Sequence, residues 1–102
     1  MSASIMQTVR ECYLCRAKYN VITMVGLEEH HVIGGPLRSK AEHYGLKVWL
    51  CHRHHNEPGE SAHFDSRTRL FLKRRAQAAF EARYGHERWM TEFGKDYLSC
   101  ST

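Results

Sequence analysis

The clearest alternation of hydrophobic and polar positions lies in the middle of the chain. Leu46, Val48 and Leu50 alternate with a lysine and a tryptophan. This period-two spacing is typical of a strand with one buried face. The strand is predicted to run directly into residues 51–56, which read Cys-His-Arg-His-His-Asn.

An apolar run upstream predicts a first strand. Residues 21–27 read Val-Ile-Thr-Met-Val-Gly-Leu, a β-rich composition, and lead into Glu-His-His-Val-Ile at 29–33. The Gly-Gly-Pro sequence at 34–36 is predicted to end this strand. The polar stretch 37–45 is then expected to be a loop that contains at most one helical turn, capped by Ser39.

The last third of the chain has helical periodicity. Asp65 or Ser66 is expected to cap a first helix and Gly85 to end it. Its apolar stripe consists of Leu72, Ala76, Ala79, Phe80 and Tyr84. A second helix is predicted to carry on one face Trp89, Met90, Phe93, Tyr97 and Leu98. Both stripes are interpreted as core.

Length and composition indicate one globular α+β domain with a modest core. The chain has 102 residues, of which 42% are hydrophobic and 25% charged. We divide it into an N-terminal segment (1–11), a central core (12–63) and C-terminal helices (64–98). The formal net charge of +4 suits a phosphate-bearing partner, although many globular domains carry a charge of this size.

The distribution of apolar residues argues against secretion and against a membrane partner. Residues 1–10 contain no continuous apolar run, so no signal peptide is predicted. No stretch approaches the length of a membrane span. The four cysteines are therefore expected in the reducing cytoplasm, where thiolates bind metals more often than they pair. Cys100, in a polar tail, is expected to be a free thiol.

Two closely spaced pairs of ligands predict a structural zinc site. Cys12 and Cys15 form a Cys-x-x-Cys pair, and Cys51 and His54 have the same spacing. Structural zinc takes four such ligands in a tetrahedron, usually as two pairs from distant parts of the chain. His55 is an alternative fourth ligand. The competing interpretation is a buried apolar thiol at Cys51 and a fortuitous reduced dithiol at the first pair.

The remaining histidines suggest a second site. The chain has eight histidines. If zinc takes His54, then His30, His31, His55 and His63 are available elsewhere. Neighbouring residues on a regular strand point to opposite faces, so His30 and His31 can serve one site only where the strand ends or bulges. Each of these residues taken alone is more simply interpreted as a surface imidazole.

Three segments together resemble a known family. They are the Cys-x-x-Cys of 12–15, the Glu-His-His-Val-Ile-Gly-Gly of 29–35 and the Leu-Cys-His-Arg-His-His-Asn of 50–56. Their combination resembles the HNH (ββα-metal, His-Me finger) endonucleases that carry a zinc knuckle, and above all the small HNH-like proteins of phages and prophages. The likeness covers 12–63, and the end of the chain, 92–98, is also similar to the phage group.

The resemblance implies a small ββα-metal, treble-clef-like core stapled by zinc and followed by C-terminal helices. It also implies roles for single residues. His30 matches the strand ligand of a catalytic divalent metal, and His31 matches the general base. His55 and His63 match the remaining ligands of that metal, which would be Zn²⁺, Ni²⁺, Mn²⁺ or Mg²⁺. Imidazole ligands favour the first three, because Mg²⁺ prefers oxygen.

The function that follows is metal-dependent nicking or cleavage of DNA with low sequence specificity, in the cytoplasm of a bacterial host. Candidate contacts to the phosphate backbone are Arg38, Lys40, Lys73 and Arg74, with Arg67, Arg69 and Arg75 on the same helix. The alternative is a catalytically weak or inactive HNH-like zinc module that binds DNA or a phage or recombination protein. Residues 42–46 lack the middle Asn of the family, and this difference favours the alternative.

Overall fold

Two short strands form an antiparallel sheet in the computed structural model, which describes residues 3–99. Strand β1 is Leu27–His31 and strand β2 is Lys47–Cys51. Leu27 pairs with Cys51, and His31 pairs with Lys47. Helices pack around this sheet, so the predicted α+β class is confirmed. The predicted free thiol Cys100 lies outside the described residues.

Strand β1 is shorter than the sequence predicts. Residues 21–25 form an irregular segment, in which Ile22 is 60% and Val25 86% exposed. Gly26, at φ +67°, separates them from the strand. The physical reason is the length of the partner, because β2 ends at Cys51 and the chain then turns into a helix. A β-rich segment with no strand beside it cannot form ladder hydrogen bonds.

Five α-helices complete the described fold. Their bounds are α1 Tyr13–Tyr19, α2 Arg38–Tyr44, α3 His52–Asn56, α4 Ser66–Tyr84 and α5 His86–Phe93. A 3₁₀ turn, Gly35–Leu37, precedes α2. The predicted loop 37–45 is thus largely a helix. Ser39 lies inside it and does not cap it, because Leu37 occupies the capping position.

The ends of the last two helices follow local chemistry. The side chain of Asp65 accepts a hydrogen bond from the Arg67 amide, so Asp65 is the cap of α4, and Gly85 follows the last residue, as predicted. Helix α5 ends earlier than predicted because Gly94 adopts a left-handed conformation at φ +75°. Tyr97 therefore lies in the segment after α5, where its ring is 6.4 Å from that of Trp89.

The core joins the sheet to the C-terminal helices. Leu50 of β2 and Leu72, Phe80 and Trp89 of the helices are all fully buried in one cluster. The predicted stripe of α4 is confirmed at Leu72, Ala76 and Phe80, whereas Tyr84 is 43% exposed. No helix in the described part of the chain is long and apolar enough to cross a membrane.

The N-terminal segment covers the free edge of β2. The Ile5 amide donates to the Gly45 carbonyl at 3.0 Å, and the Trp49 amide donates to the side chain of Gln7 at 2.9 Å. The Ser4 hydroxyl donates to the Lys47 carbonyl at 2.6 Å. Both edges of β2 are therefore hydrogen-bonded, which protects the strand from pairing with another chain.

Candidate metal centres

The two predicted ligand pairs occupy equivalent positions at the starts of two helices. Cys12 is the N-cap of α1, and its sulfur accepts a hydrogen bond from the Cys15 amide at 3.4 Å. Cys51 is the N-cap of α3, and His54 is the third residue of that helix. A spacing of three places the cap and the first turn on one side of a helix. Each short helix thus directs two ligands toward the same point.

Four of the six distances among these ligand atoms are close to those of a tetrahedral zinc site, and all six are within 4.8 Å. The Nδ1 atom of His54 lies 3.6, 3.3 and 3.4 Å from the sulfurs of Cys12, Cys15 and Cys51. The sulfurs of Cys15 and Cys51 are 3.8 Å apart. Usual zinc bond lengths in a tetrahedron give about 3.5 Å for sulfur to nitrogen and about 3.8 Å for sulfur to sulfur. The Cys₃His cluster can therefore hold one metal ion.

His54, and not His55, completes this cluster. Its side chain is buried, and burial is the largest cause that lowers the pKa of His54, which keeps the imidazole neutral and able to bind a cation. Its second nitrogen, Nε2, is buried without a hydrogen-bond partner, and the nearest carboxylate oxygen, on Glu60, is 3.9 Å away. The sequence left the choice between these histidines open, and the direction of Nδ1 decides it.

Three other histidines converge beside β1. His30, His55 and His63 each place one nitrogen within 4.8 Å of the others, and we call them the histidine centre. The Nε2 atoms of His55 and His63 are 3.1 Å apart. Two nitrogens on one zinc-sized ion are about 2.9 Å apart at right angles and about 3.3 Å apart in a tetrahedron. The centre therefore has dimensions that suit a divalent cation.

The loop after α3 returns His63 to this centre. The Ala62 amide donates to the His54 carbonyl at 2.8 Å, and the His63 amide donates to the His55 carbonyl at 3.2 Å. These two bonds close residues 57–61 into a compact turn. His63, eight residues after His55 in the sequence, is thereby brought back beside it.

Glu28 fixes the orientation of His55. Its carboxylate accepts hydrogen bonds from Nδ1 of His55 at 2.7 Å and from Nδ1 of His52 at 3.0 Å. These bonds are the main cause that lowers the pKa of Glu28. Because Nδ1 of His55 carries the proton, its Nε2 lone pair points toward His63. A carboxylate that orients a ligating imidazole in this way is a recurrent feature of metal sites.

The electrostatic environment favours the neutral form of two members of the centre, His30 and His63. Burial, followed by the nearby His55, His63 and His31, lowers the pKa of His30 to about 3. Burial and then His55 also lower the pKa of His63. Since only a neutral imidazole offers a lone pair, these two residues are available as ligands at neutral pH.

His31 lies in a different group from the histidine centre. Its Nε2 donates to Glu42 at 2.7 Å, and Glu42 also accepts from Lys47 at 2.9 Å. Regular pairing of β1 places His31 and Glu29 on one face of the strand and His30 and Glu28 on the other. The structure therefore does not bring the predicted general base together with the predicted metal ligands.

A lysine occupies the group of acidic residues around His31. The oxygen and nitrogen atoms of Glu29, His31 and Glu42 lie close enough to hold an ion. However, the ammonium of Lys47 contacts both carboxylates and offsets one of their two negative charges. Burial lowers the pKa of Lys47, but the hydrogen bond to Glu42 and the charge of Glu29 outweigh burial, so its pKa is raised. Lys47 therefore carries the positive charge here.

The four predicted DNA contacts are divided between separate surfaces. Arg38 starts α2 and lines an open cavity with His31 and Glu42. Lys40 is bound to Glu92 of α5, by a hydrogen bond of 3.0 Å to the carbonyl and an ion pair of 3.4 Å to the carboxylate. Lys73 and Arg74 lie on α4, beside the segment that follows α5.

The sequence analysis missed three side chains that shape these groups: Glu28, Glu42 and Lys47. The neighbouring Glu29 lies on the opposite face from the histidine centre and contacts Lys47 at 3.5 Å. Strand alternation could have found Glu28, which is two residues before His30. No local signal identifies Glu42, because its contact with His31 depends on how α2 folds against β1.

Comparisons with known proteins leave the chain without a family assignment. No protein-family model, no curated protein and no solved structure matches it.

Proposed function

We propose that this chain is a metal-dependent nuclease of the HNH type that nicks or cleaves DNA with low sequence specificity. The observation that carries the proposal is the convergence of His30, His55 and His63 on one point, with Glu28 fixing the tautomer of His55. Three imidazoles held in this way could bind a cation. These imidazoles lie directly beside a Cys₃His cluster. This arrangement is the one expected from the resemblance of the sequence to HNH endonucleases with a zinc knuckle.

The two centres would have different tasks. Cys12, Cys15, Cys51 and His54 would hold a structural zinc ion in a treble-clef-like core, since all four ligands come from the protein. The histidine centre would hold Zn²⁺, Ni²⁺ or Mn²⁺, and less readily Mg²⁺. A cation bound there supplies positive charge to the phosphoryl oxygens and to the departing oxygen of a phosphodiester.

His31 is the base in this proposal. Its Nε2–H donates to the Glu42 carboxylate, so the lone pair of its Nδ1 is available to accept a proton from water. The water oxygen forms the new bond to phosphorus, and the bond to the departing oxygen breaks. Glu42 then stabilises the imidazolium that results. Arg38, beside His31 in the same open cavity, can contact the phosphate.

One observation favours a second candidate, a zinc module that binds DNA or a phage or recombination protein without turnover. His31 and the histidine centre lie on opposite faces of β1. A base and a cation serve one phosphate only if the substrate lies across the end of the strand, where His31 is the last residue. If no substrate fits in that position, the two groups cannot cooperate.

Nicking of supercoiled plasmid in the presence of Mn²⁺, Ni²⁺, Zn²⁺ or Mg²⁺ tests the proposal. His30→Ala should lose the second metal and the activity. His31→Ala should keep both metals and DNA affinity yet cut roughly 10²–10⁴-fold more slowly, the span of general-base catalysis. His86→Ala is the matched control, because His86 is exposed and contacts Glu81, outside both metal clusters.

Two outcomes would contradict the nuclease assignment or part of it. If the wild-type protein binds two ions per chain and cuts no DNA with any of the four metals, the binding module takes its place. If the wild-type protein cuts DNA and His31→Ala cuts at the same rate as His86→Ala, His31 is not the base.

A further inference from the structure

Four cations line a shallow groove between α4 and the segment that follows α5. Arg69, Lys73 and Arg74 come from α4, and Lys95 comes from the following segment. We call these four residues the basic groove. Arg74 donates through Nε to the Tyr97 carbonyl at 2.8 Å, which fixes the segment against the helix. The ammonium groups of Lys73 and Lys95 lie 5.3 and 5.4 Å from the centre of the Tyr97 ring.

The charge of the basic groove is not neutralised within the described part of the chain. No described carboxylate forms an ion pair with any of its four cations, whereas Lys40, Lys47 and Arg88 elsewhere each have at least one. The carboxylate that lines the groove, Asp96, accepts hydrogen bonds from the Gln77 side chain and from two backbone amides. The groove therefore presents an excess of positive charge.

Like charges in the groove oppose one another. Burial, followed by the nearby Lys95 and Arg69, lowers the pKa of Lys73. An anion placed among these side chains would reverse the electrostatic part of this effect, because an opposite charge stabilises the ammonium form. The arrangement thus favours the binding of a negatively charged group.

The basic groove begins at the histidine centre. A terminal nitrogen of Arg69, Nη1, donates to the carbonyls of Ala62 and His63 at 3.3 and 3.1 Å. His63 is a member of the centre. Lys73 follows Arg69 by one helical turn, a rise of about 6 Å along α4. Positive charge consequently extends from the centre along α4 toward Lys95.

We propose that the basic groove binds the sugar–phosphate backbone of DNA on one side of the histidine centre. This inference rests on the proposed function, and it adds Lys95 to the candidate contacts Arg69, Lys73 and Arg74. A row of cations that leads away from one centre suits a polymer with a charge on every repeat. Arg and Lys contact phosphates without reading bases, so these contacts carry no sequence preference. Lys40 belongs to a different surface.

Salt-dependent binding to a short fluorescent DNA duplex tests the groove. Lys73→Gln and Lys95→Gln should each weaken binding and make the plot of log affinity against log salt shallower by about 0.9 per lost phosphate contact. Arg83→Gln is the matched control, because Arg83 is an exposed cation of the same helix outside the groove. Melting temperatures check that each variant is folded. Lys95 is exposed, so Lys95→Gln keeps the test decisive if Lys73→Gln unfolds.

The groove and the nuclease activity can fail separately. If Lys73→Gln and Lys95→Gln have the same salt slope as Arg83→Gln while the wild-type protein nicks plasmid, the groove is wrong and the nuclease stands. If the slopes change as expected and no metal supports nicking, the groove stands and the hydrolysis is wrong. If polyglutamate competes as strongly as duplex DNA, the groove is a site for acidic peptides and the DNA assignment is overturned.

Discussion

Glu28 illustrates how one carboxylate organises the imidazoles beside β1. It accepts one hydrogen bond from His52 and one from His55, both residues of the short helix α3. The bond to His55 places the proton of the His55 ring on Nδ1. It also holds the ring in the orientation in which Nε2 faces His63 at 3.1 Å.

The first prediction concerns this carboxylate. Glu28→Gln should lower the affinity of the histidine centre for Ni²⁺ or Mn²⁺ by about 10–100-fold, the usual effect of removing a group that orients a ligand. The structural zinc should be retained. Titration calorimetry of the zinc-loaded protein measures the affinity, and metal analysis measures the zinc.

Glu29→Gln is the matched control, because Glu29 is the next residue of the same strand and lies on its other face. It should leave the affinity of the histidine centre unchanged. Equal losses in both variants would mean that general negative charge, and not the orientation of His55, determines the affinity.

Among the elements, helix α2 and the N-terminal segment are linked through Gly45. Gly45 ends α2 in a left-handed conformation at φ +74°. A Cβ atom at this position would lie 2.1 Å from the Ala3 carbonyl oxygen, which is much closer than atoms can approach. The segment that covers the edge of β2 can therefore lie where it does only because position 45 has no side chain.

The second prediction follows from this contact. Gly45→Ala should destabilise the protein by more than the roughly 1–2 kcal/mol that a left-handed conformation costs an L-residue, because the N-terminal segment must also move. Urea unfolding measures the change in the free energy of unfolding.

Gly34→Ala is the control for this substitution. Gly34 has an extended backbone at φ −102°, and a Cβ there would meet no atom within 4 Å. Its effect should stay within about 0.5 kcal/mol. If the two variants have the same stability, the N-terminal segment does not pack on Gly45 in solution.

For the whole molecule, the Cys₃His cluster is continuous with the core. Cys12 is fully buried and belongs to the same hydrophobic cluster as Leu14 and Leu50. A domain of this size has limited apolar surface to bury, so a metal ion held between α1 and α3 would contribute substantially to folding. If the ion is zinc, as proposed, the free energy of zinc binding would be part of the free energy of folding.

The third prediction is that removal of zinc unfolds the domain. Cys12→Ser or His54→Ala should lose the ion and most of the native circular dichroism, because either change removes one of four ligands. His55→Ala is the internal control. It should keep the zinc and the fold while losing the second metal, since His55 faces His63 and not the sulfurs.

Metal content and thermal melting of the three variants check this prediction. A Cys12→Ser variant with full zinc content and native melting would contradict a structural zinc site. If His55→Ala loses the zinc and His54→Ala retains it, the two histidines have exchanged places relative to the structure.

Features that depend on a few neighbouring residues could be predicted from the sequence. The alternation of Leu46, Val48 and Leu50 predicted β2, and Asp65 and Gly85 predicted the ends of α4. The two ligand pairs were also predictable, because a spacing of three residues brings side chains together at a helix start whatever the rest of the chain does. In each case the geometry is local, and the residue types alone determine it.

Only the tertiary structure decided what depends on distant segments. The five-residue pairing of β1 with β2 left residues 21–25 outside the sheet and placed His30 and His31 on opposite faces. The return of the chain after α3 brought His63 to His55, and the folding of α2 brought Glu42 to His31. The physical reason is that side-chain direction follows from strand register and loop closure. Both are set by contacts between residues far apart in the sequence, which residue types and spacing do not specify.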